Sequence, residues 1–200
     1  MSEEKIQELE EKIYELGCEL RALREAEPGV EVPNYTLDTI EGEVTLLDLF
    51  GDKDKLLAIH NMGQGCRYCT LWGDGFNPFV PHLEAFIAVV MLSKDDPATQ
   101  RRFANHRGWR FRMASHGGGK YLQEQNANER YDNCPGAVCY ERRGDTIFRL
   151  NRCAFGPGDL YCSVWHMMGL AGLDSEDWTP QYNYWRRPQT LDDGGANVVD

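Results

Sequence analysis

Apolar residues near the start of the chain recur at alternating intervals of three and four positions. The six residues of this stripe are Ile6, Leu9, Ile13, Leu16, Leu20 and Leu23. They occupy the a and d positions of three heptads and predict one amphipathic helix over residues 1–28, ended by Pro28 and Gly29. Such a short stripe packs either on its own domain or on the same helix of a second copy in a homodimer, and the pattern alone favours neither.

From residue 29 onward the pattern changes to short apolar runs that alternate with amphipathic segments. The runs predict buried strands and a hairpin, at residues 56–60, 86–92, 109–113, 136–140 and 146–150. The amphipathic segments predict helices, at residues 66–75, 80–85, 97–107 and 158–171. This alternation indicates an α/β domain with a mixed sheet over residues 29–173, followed by a polar and aromatic tail over residues 174–200.

Charge is distributed unevenly along the 200 residues, whose formal net charge is −11. Residues 1–48 hold 4 basic and 14 acidic side chains, whereas residues 101–152 hold 11 basic and 5 acidic ones. The acidic total argues against a nucleic-acid partner or an anionic membrane, and we expect the basic middle to face the acidic N-terminal helix. No apolar run is long enough to span a bilayer and no signal peptide is evident, so we expect a cytoplasmic protein.

Seven cysteines are many, and an odd number, for a cytoplasmic chain, so they indicate redox chemistry or metal binding. Cys66 and Cys69 form a C-x-x-C motif that follows a predicted buried strand and opens a predicted helix. The positive end of the helix dipole and the neighbouring Arg67 favour a thiolate at Cys66. One helical turn brings Cys69 within reach of a mixed disulfide on Cys66. The motif therefore predicts Cys66 as the nucleophile and Cys69 as the resolving thiol.

Two other interpretations of these cysteines compete with redox chemistry. Cys66 and Cys69 could be half of a structural zinc site completed by Cys134, Cys139 or a histidine, or they could be unreactive thiols of the core. A structural zinc site usually has a second close pair of ligands, whereas four residues separate Cys134 from Cys139. We therefore expect no bound metal and no cofactor.

The segment from residue 46 to 77 carries a resemblance to a known family. The matching residues are Gly65, Cys66, Cys69, Trp72, Asp74, Phe76 and Asn77. With the charged N-terminal helix, they resemble a thioredoxin-like family of predicted dithiol–disulfide oxidoreductases, a bacterial domain family of unknown function. The similarity weakens over residues 114–134 and returns in the hairpin and the final helix, so it covers most of the chain.

The resemblance implies a thioredoxin-like fold with an added N-terminal helix, in which Trp72 supports the dithiol. In that fold a cis-proline ahead of the hairpin strand faces the dithiol and helps to bind substrate. Pro135 has this position, and Cys134 beside it would lie near the dithiol. Thioredoxins carry a buried acid six residues before the first cysteine, where this chain has His60. A buried core histidine is the favoured interpretation, and a general base is the alternative.

Peroxiredoxins share this architecture and provide an alternative function. Their reactive cysteine follows a threonine or serine by three residues, with a proline before that, whereas this chain has Gly63 there and no such proline. The sequence thus predicts thiol–disulfide exchange with a protein or small-molecule disulfide. Peroxide reduction and a non-enzymatic module with a cysteine zinc site are the alternatives.

Overall fold

The computed structural model describes residues 3–174, 176 and 178–181 of the chain. The strands are β1 Val30–Val32, β2 Thr36–Thr39, β3 Gly42–Thr45, β4 Lys55–His60, β5 Ala88–Ser93, β6 Arg112–Ser115, β7 Gly136–Arg143 and β8 Thr146–Ala154. The α-helices are α1 Glu3–Ala26, α2 Arg67–Phe76, α3 Val80–Glu84, α4 Pro97–Arg107, α5 Lys120–Gln125 and α6 Ser163–Leu170. Short 3-10 turns cover Asp48–Phe50 and Asn77–Phe79. The C-terminal tail, predicted over residues 174–200, lies mostly outside the described residues.

The strands form one mixed sheet in the order β1-β8-β7-β4-β5-β6-β2-β3. The central strands β4, β5 and β6 run parallel to one another, and β7 and β8 form an antiparallel hairpin beside β4. His60, the last residue of β4, pairs with Leu92 on one side and with Gly136 on the other. The α/β architecture with a mixed central sheet flanked by helices is confirmed.

Side chains of the central strands alternate between two cores, one on each face of the sheet. In β4, Leu56 and Ala58 join the core that contains Tyr121 of α5. Ile59 joins the opposite core, formed with α2, α3, α4 and α6. Because both faces are covered, β4 and β5 are near-continuous apolar runs, which is the pattern that marked them as buried strands.

The structure corrects several predicted boundaries. The strand predicted over residues 109–113 begins at Arg112, because Trp109 and Phe111 pack into the core ahead of it. The last helix, predicted from residue 158, begins at Ser163, because the Asp159 carboxylate accepts hydrogen bonds from the backbone of the preceding turn, including that of Tyr161. The strands β1, β2 and β3 and the helix α5 had no prediction.

Helix α1 has no buried residue, and its apolar stripe is exposed except at Leu20, which is partly buried. Its last turn is tied to the hairpin, since the Asn151 side chain donates to the Arg24 carbonyl oxygen at 3.3 Å. Just beyond the helix, Arg143 donates to the Pro28 carbonyl oxygen at 3.0 Å. Packing of the stripe on its own domain, one of the two predicted interpretations, is therefore wrong. Within the described part of the chain, no helix combines the length and apolar character needed to cross a membrane.

A chain of hydrogen-bonded polar side chains lies inside the core that contains Tyr121. The Tyr121 hydroxyl is 2.8 Å from His60 Nε2 and 3.0 Å from the Tyr140 hydroxyl. Farther along, Gln125 Nε2 donates to the Tyr35 hydroxyl at 2.8 Å. Burial lowers the pKa of His60 to about 3 and raises the pKa of Tyr121. These groups are therefore neutral in the folded protein near neutral pH.

The buried His60 predicts a loss of stability in acid. Its pKa is about 3 when folded but about 6.5 when exposed, so between about pH 6.5 and about pH 3 only the unfolded chain takes up this proton. The free energy of unfolding should fall by up to about 1.4 kcal/mol per pH unit from this residue. In His60→Gln, the free energy of unfolding measured in urea should change less steeply with pH than in the parent. The difference in slope should correspond to up to one proton. The exposed His82→Gln control should keep the parental slope, and an unchanged slope in His60→Gln would contradict the assignment.

Gly136, the first residue of β7, has no room for a side chain. A Cβ atom there would collide with the Cys153 carbonyl oxygen and with the Ala127 side chain. We expect Gly136→Ala to lower the free energy of unfolding by about 1–3 kcal/mol, because the crowding is partly against backbone. Gly75→Ala in α2 is the matched control, since a Cβ there meets nothing within 4 Å. Urea denaturation measures both, and equal stability of the two variants would contradict this prediction.

Candidate functional site

Hydrogen bonds from backbone amides to two side chains hold the loop between β4 and α2. The Asn61 Oδ1 atom accepts a hydrogen bond from the Gly63 amide at 2.8 Å, and Asp95 Oδ2 accepts one from the Gln64 amide at 2.7 Å. Gly63 has a φ of +121°, and a Cβ on it would lie 2.7 Å from Asp95 Oδ1. Glycine is therefore required at position 63. Asp95, which the sequence analysis did not identify as a site residue, fixes the loop that leads to the cysteines.

Cys66 is the N-cap residue of α2, in an extended conformation with φ −98° and ψ 99°. Its Sγ atom accepts a hydrogen bond from the Cys69 amide at 3.1 Å. The structure joins Cys66 and Cys69 in a disulfide, with their Cα atoms 5.2 Å apart. Cys69 is 2% exposed, whereas Cys66 is only partly buried. Of the two sulfur atoms, that of Cys66 belongs to the more accessible residue.

Arg67 and Trp72 lie on the same helix as the dithiol. Arg67 is the first residue of α2 and directly follows Cys66. Trp72 is 3% exposed, and its indole Nε1 donates to Asp159 Oδ2 at 2.9 Å. Its ring stacks on Phe155, with centroids 5.5 Å apart. Trp72 thus fastens α2 to the segment that follows β8, and Asp159 is a second residue that the sequence did not mark.

Two further residues that carry the family resemblance, Asp74 and Asn77, fasten another side of α2. Asp74 accepts hydrogen bonds from Arg107 and from the Trp109 indole, the latter at 2.8 Å. Asn77 Oδ1 accepts a hydrogen bond from the Arg110 amide at 2.7 Å. Gly73 leaves room for the Trp109 ring, which a Cβ would meet. These residues hold the helix that carries the dithiol.

His60 lies on the face of the sheet opposite α2. Ile59, next to it in β4, packs in the core with α2, whereas the His60 ring bonds to Tyr121 in the opposite core. His60 is 2% exposed, and burial, with a smaller effect of the nearby His116, lowers its pKa to about 3. This geometry favours the core-histidine interpretation over a general base for the dithiol.

Cys134 and Pro135 directly precede β7, at the sheet edge where β4 ends. Because His60 pairs with Gly136, Pro135 lies just beyond the end of β4, where the loop to the dithiol begins. Cys134 is 5% exposed, and burial raises the pKa of its thiol. The prediction of a cis peptide bond before Pro135 is wrong, since no cis bond occurs among the described residues. A trans bond is the lower-energy form, and here it is compatible with a 2.8 Å hydrogen bond from the Phe155 amide to the Pro135 carbonyl oxygen.

A polar cleft of about 550 Å³ adjoins this segment. Its lining includes Lys94, which directly follows β5, and Asn126, whose Oδ1 accepts a hydrogen bond from the Cys134 amide at 3.0 Å. The carboxyl ends of parallel strands meet at one edge of a sheet, and ligands of α/β proteins usually bind there. The cleft and the dithiol loop share this edge.

The zinc interpretation gains no support from the arrangement of the described side chains. Within residues 3–174, 176 and 178–181, no three His, Cys, Asp or Glu residues are grouped so that they could hold a metal ion. Cys134 and Cys139, the expected further ligands, are free thiols, and burial raises the pKa of both. Burial also raises the pKa of Cys153 and Cys162, so these four thiols stay protonated near neutral pH.

Solved structures similar to this one include peroxiredoxins. AhpC of Enterococcus faecalis has a TM-score of 0.53 at 12% identity, over 72% of this chain and 91% of that one. The antioxidant protein of Plasmodium falciparum, a 1-Cys peroxiredoxin, has a TM-score of 0.51 at 12% identity, over 72% and 98% of the two chains. Reduced Prx3 of Vibrio vulnificus, in complex with H2O2, has a TM-score of 0.50 at 14% identity, over 68% and 90%.

At these identities the likeness shows the fold, and the thioredoxin-like fold with an added N-terminal helix is confirmed. A search of curated proteins finds no match. A family model described as bacterial protein of unknown function, DUF899, matches residues 3–190. The match spans nearly the whole chain and includes the dithiol helix and the residues that fasten it. This chain therefore belongs to the DUF899 family of bacterial proteins of unknown function.

Proposed function

We propose that this protein is a thiol–disulfide oxidoreductase that acts through Cys66 and Cys69. The observation that carries the proposal is the position of Cys66 at the N-cap of α2, disulfide-bonded to Cys69 and accepting a hydrogen bond from the Cys69 amide. Two cysteines one helical turn apart at a helix N-terminus are close enough to form a disulfide within the protein and to release it by thiol exchange. The substrate is a disulfide, or in the reverse direction a dithiol, of a protein or a small molecule.

Cys66 is the attacking residue in this proposal because its surroundings favour the thiolate. The free amides and the positive dipole end of α2 stabilise a negative charge on its sulfur, and Arg67 adds a positive charge next to it. A thiolate, not a thiol, is the nucleophile in disulfide exchange. The buried cysteines of the domain have the opposite tendency, since burial raises the pKa of their thiols, as at Cys134 and Cys139.

The exchange proceeds in two displacements. The Cys66 thiolate attacks one sulfur of the substrate disulfide, forms a mixed disulfide, and releases the other substrate sulfur as a thiolate. Cys69, after losing its proton, attacks the Cys66 sulfur, so that the Cys66–Cys69 disulfide forms and the second substrate thiolate leaves. Two electrons pass from the protein dithiol to the substrate. Because Cys69 is 2% exposed, it is reached from Cys66 more readily than from solvent, which suits a resolving thiol.

We place the bound substrate along the polar cleft beside Cys134 and Pro135. The cleft opens at the same sheet edge as the dithiol loop, and its volume of about 550 Å³ suits a short segment of polypeptide or a small polar disulfide. The Cys134 thiol is protonated because burial raises its pKa, so it does not act as a second nucleophile in this proposal.

Peroxide reduction is the second candidate, favoured by the likeness to a 1-Cys peroxiredoxin and to Prx3 in complex with H2O2. In that reaction the Cys66 thiolate attacks a peroxide oxygen, giving a sulfenic acid and, after protonation, water or an alcohol. Cys69 then displaces water from the sulfenic acid to form the same disulfide. Gly63 stands where peroxiredoxins have threonine or serine, so the site lacks a hydroxyl at that position.

Single cysteine variants test the proposed roles. Cys66→Ser should reduce a fluorescent peptide disulfide no faster than background, because the attacking sulfur is gone. Cys69→Ser should form the first bond without resolving it, so a protein–peptide mixed disulfide should accumulate and be visible by mass spectrometry. Cys18→Ser, on the exposed helix α1, is the control and should keep the parental rate. Parental turnover in Cys66→Ser would refute the site assignment.

A substrate comparison separates the two candidate reactions. For a disulfide exchange enzyme, the reduced protein should react at least about 100-fold faster with the peptide disulfide than a free thiol does, and with H2O2 only at a free-thiol rate. Stopped-flow tryptophan fluorescence can follow both reactions, since Trp72 lies on the dithiol helix. A large acceleration with H2O2 and none with the disulfide would assign the protein to peroxide reduction instead.

A further inference from the structure

The apolar stripe of α1 is exposed along almost its whole length. The exposed fractions are 49% for Ile6, 44% for Leu9, 62% for Ile13, 63% for Leu16 and 61% for Leu23. An isolated helix of 24 residues with a mixed charged sequence is only marginally stable in water, because packing supplies most of the stability of helices in proteins. A stripe of this kind is stabilised when a second apolar surface covers it.

The residue types in the stripe match a two-stranded coiled coil. The a positions hold Ile6, Ile13 and Leu20, and all three d positions hold leucine. A β-branched residue at a with leucine at d favours a parallel dimer over trimers and tetramers, because of how each side chain enters the hole formed by the facing helix. Two of the three a positions satisfy this rule.

The charges beside the stripe favour the parallel orientation. The g positions hold Lys5, Lys12 and Glu19, and the e positions hold Glu10, Gly17 and Arg24. In a parallel pair each g residue faces the e residue five positions later in the other chain. Lys5 then faces Glu10, Glu19 faces Arg24, and Lys12 faces Gly17. In an antiparallel pair Lys5 would face Glu19 and Glu10 would face Arg24, so these attractions are equal in number to those of the parallel pair. The two copies of Lys12, however, would face each other and repel, and this repulsion is absent from the parallel pair.

We propose that α1 binds the same helix of a second copy of this chain, forming a parallel two-stranded coiled coil that makes the protein a homodimer. The helix is well placed for this role, because its last turn is anchored to the hairpin through Asn151 and Arg143. The coil therefore extends from an anchored end, and a parallel arrangement holds both dithiol domains at that same end. The dimer does not depend on the chemistry proposed for Cys66.

Sedimentation velocity of the full chain at about 10 µM tests the dimer. The parental protein should have twice the 22.9 kDa mass of the chain. Leu16→Glu places a charge at the central d position and should give a monomer. Tyr14→Glu introduces the same charge on the outer face of the helix, where Tyr14 is 70% exposed, and should remain a dimer. Urea unfolding of each variant verifies that the domain is folded. A monomeric parent, or a Leu16→Glu variant that stays dimeric, would overturn the proposal.

A charge exchange tests the parallel orientation. Glu10→Lys should raise the dimer dissociation constant by about tenfold, because two attractive pairs become repulsive. The double variant Lys5→Glu/Glu10→Lys restores opposite charges only in a parallel coil and should return to the parental value. In an antiparallel coil the double variant would set like charges against Glu19 and Arg24 of the other copy. A double variant that dissociates more readily than Glu10→Lys would therefore overturn the parallel arrangement.

Discussion

The pairing of β4 on both of its edges is the constraint on which the rest of the site depends. His60 pairs with Leu92 of β5 and with Gly136 of β7, so the end of the strand is fixed from two sides. The dithiol loop starts from this fixed point, and Pro135 approaches the same point from the hairpin. Two segments that lie about seventy residues apart in sequence are thereby brought to one sheet edge. The backbone pairing of the strands is what brings them there.

The helix that carries the dithiol is then fastened along its length. Trp72 bonds to Asp159 on one side, and Asp74 bonds to Arg107 and Trp109 on the other. The N-terminal end of the helix, where Cys66 is only partly buried, is thereby held in place relative to the sheet.

Local patterns in the sequence were sufficient for the buried strands, the helix Pro97–Arg107 and the dithiol motif, because each depends on neighbouring residues. The strand Thr36–Thr39 gave no such signal, since only Leu37 of its four residues is buried. Asp95 and Asp159 could not be found from the sequence for a different reason. Their partners Gln64 and Trp72 lie 31 and 87 positions away, and only the folded topology brings them together.

The contacts of α1 change how the uneven distribution of charge along the chain is interpreted. The domain contacts near its end are made to backbone carbonyls, through Asn151 and Arg143, and not to its acidic side chains. The basic middle meanwhile pairs within the domain, as Arg107 does with Asp74 and Arg152 with Glu129. The acidic side chains of α1 are thus exposed to solvent. The expected pairing of the acidic helix with the basic middle is not found in these contacts. Its apolar stripe, and not its net charge, must then decide what the helix binds, with the charges at e and g selecting the orientation.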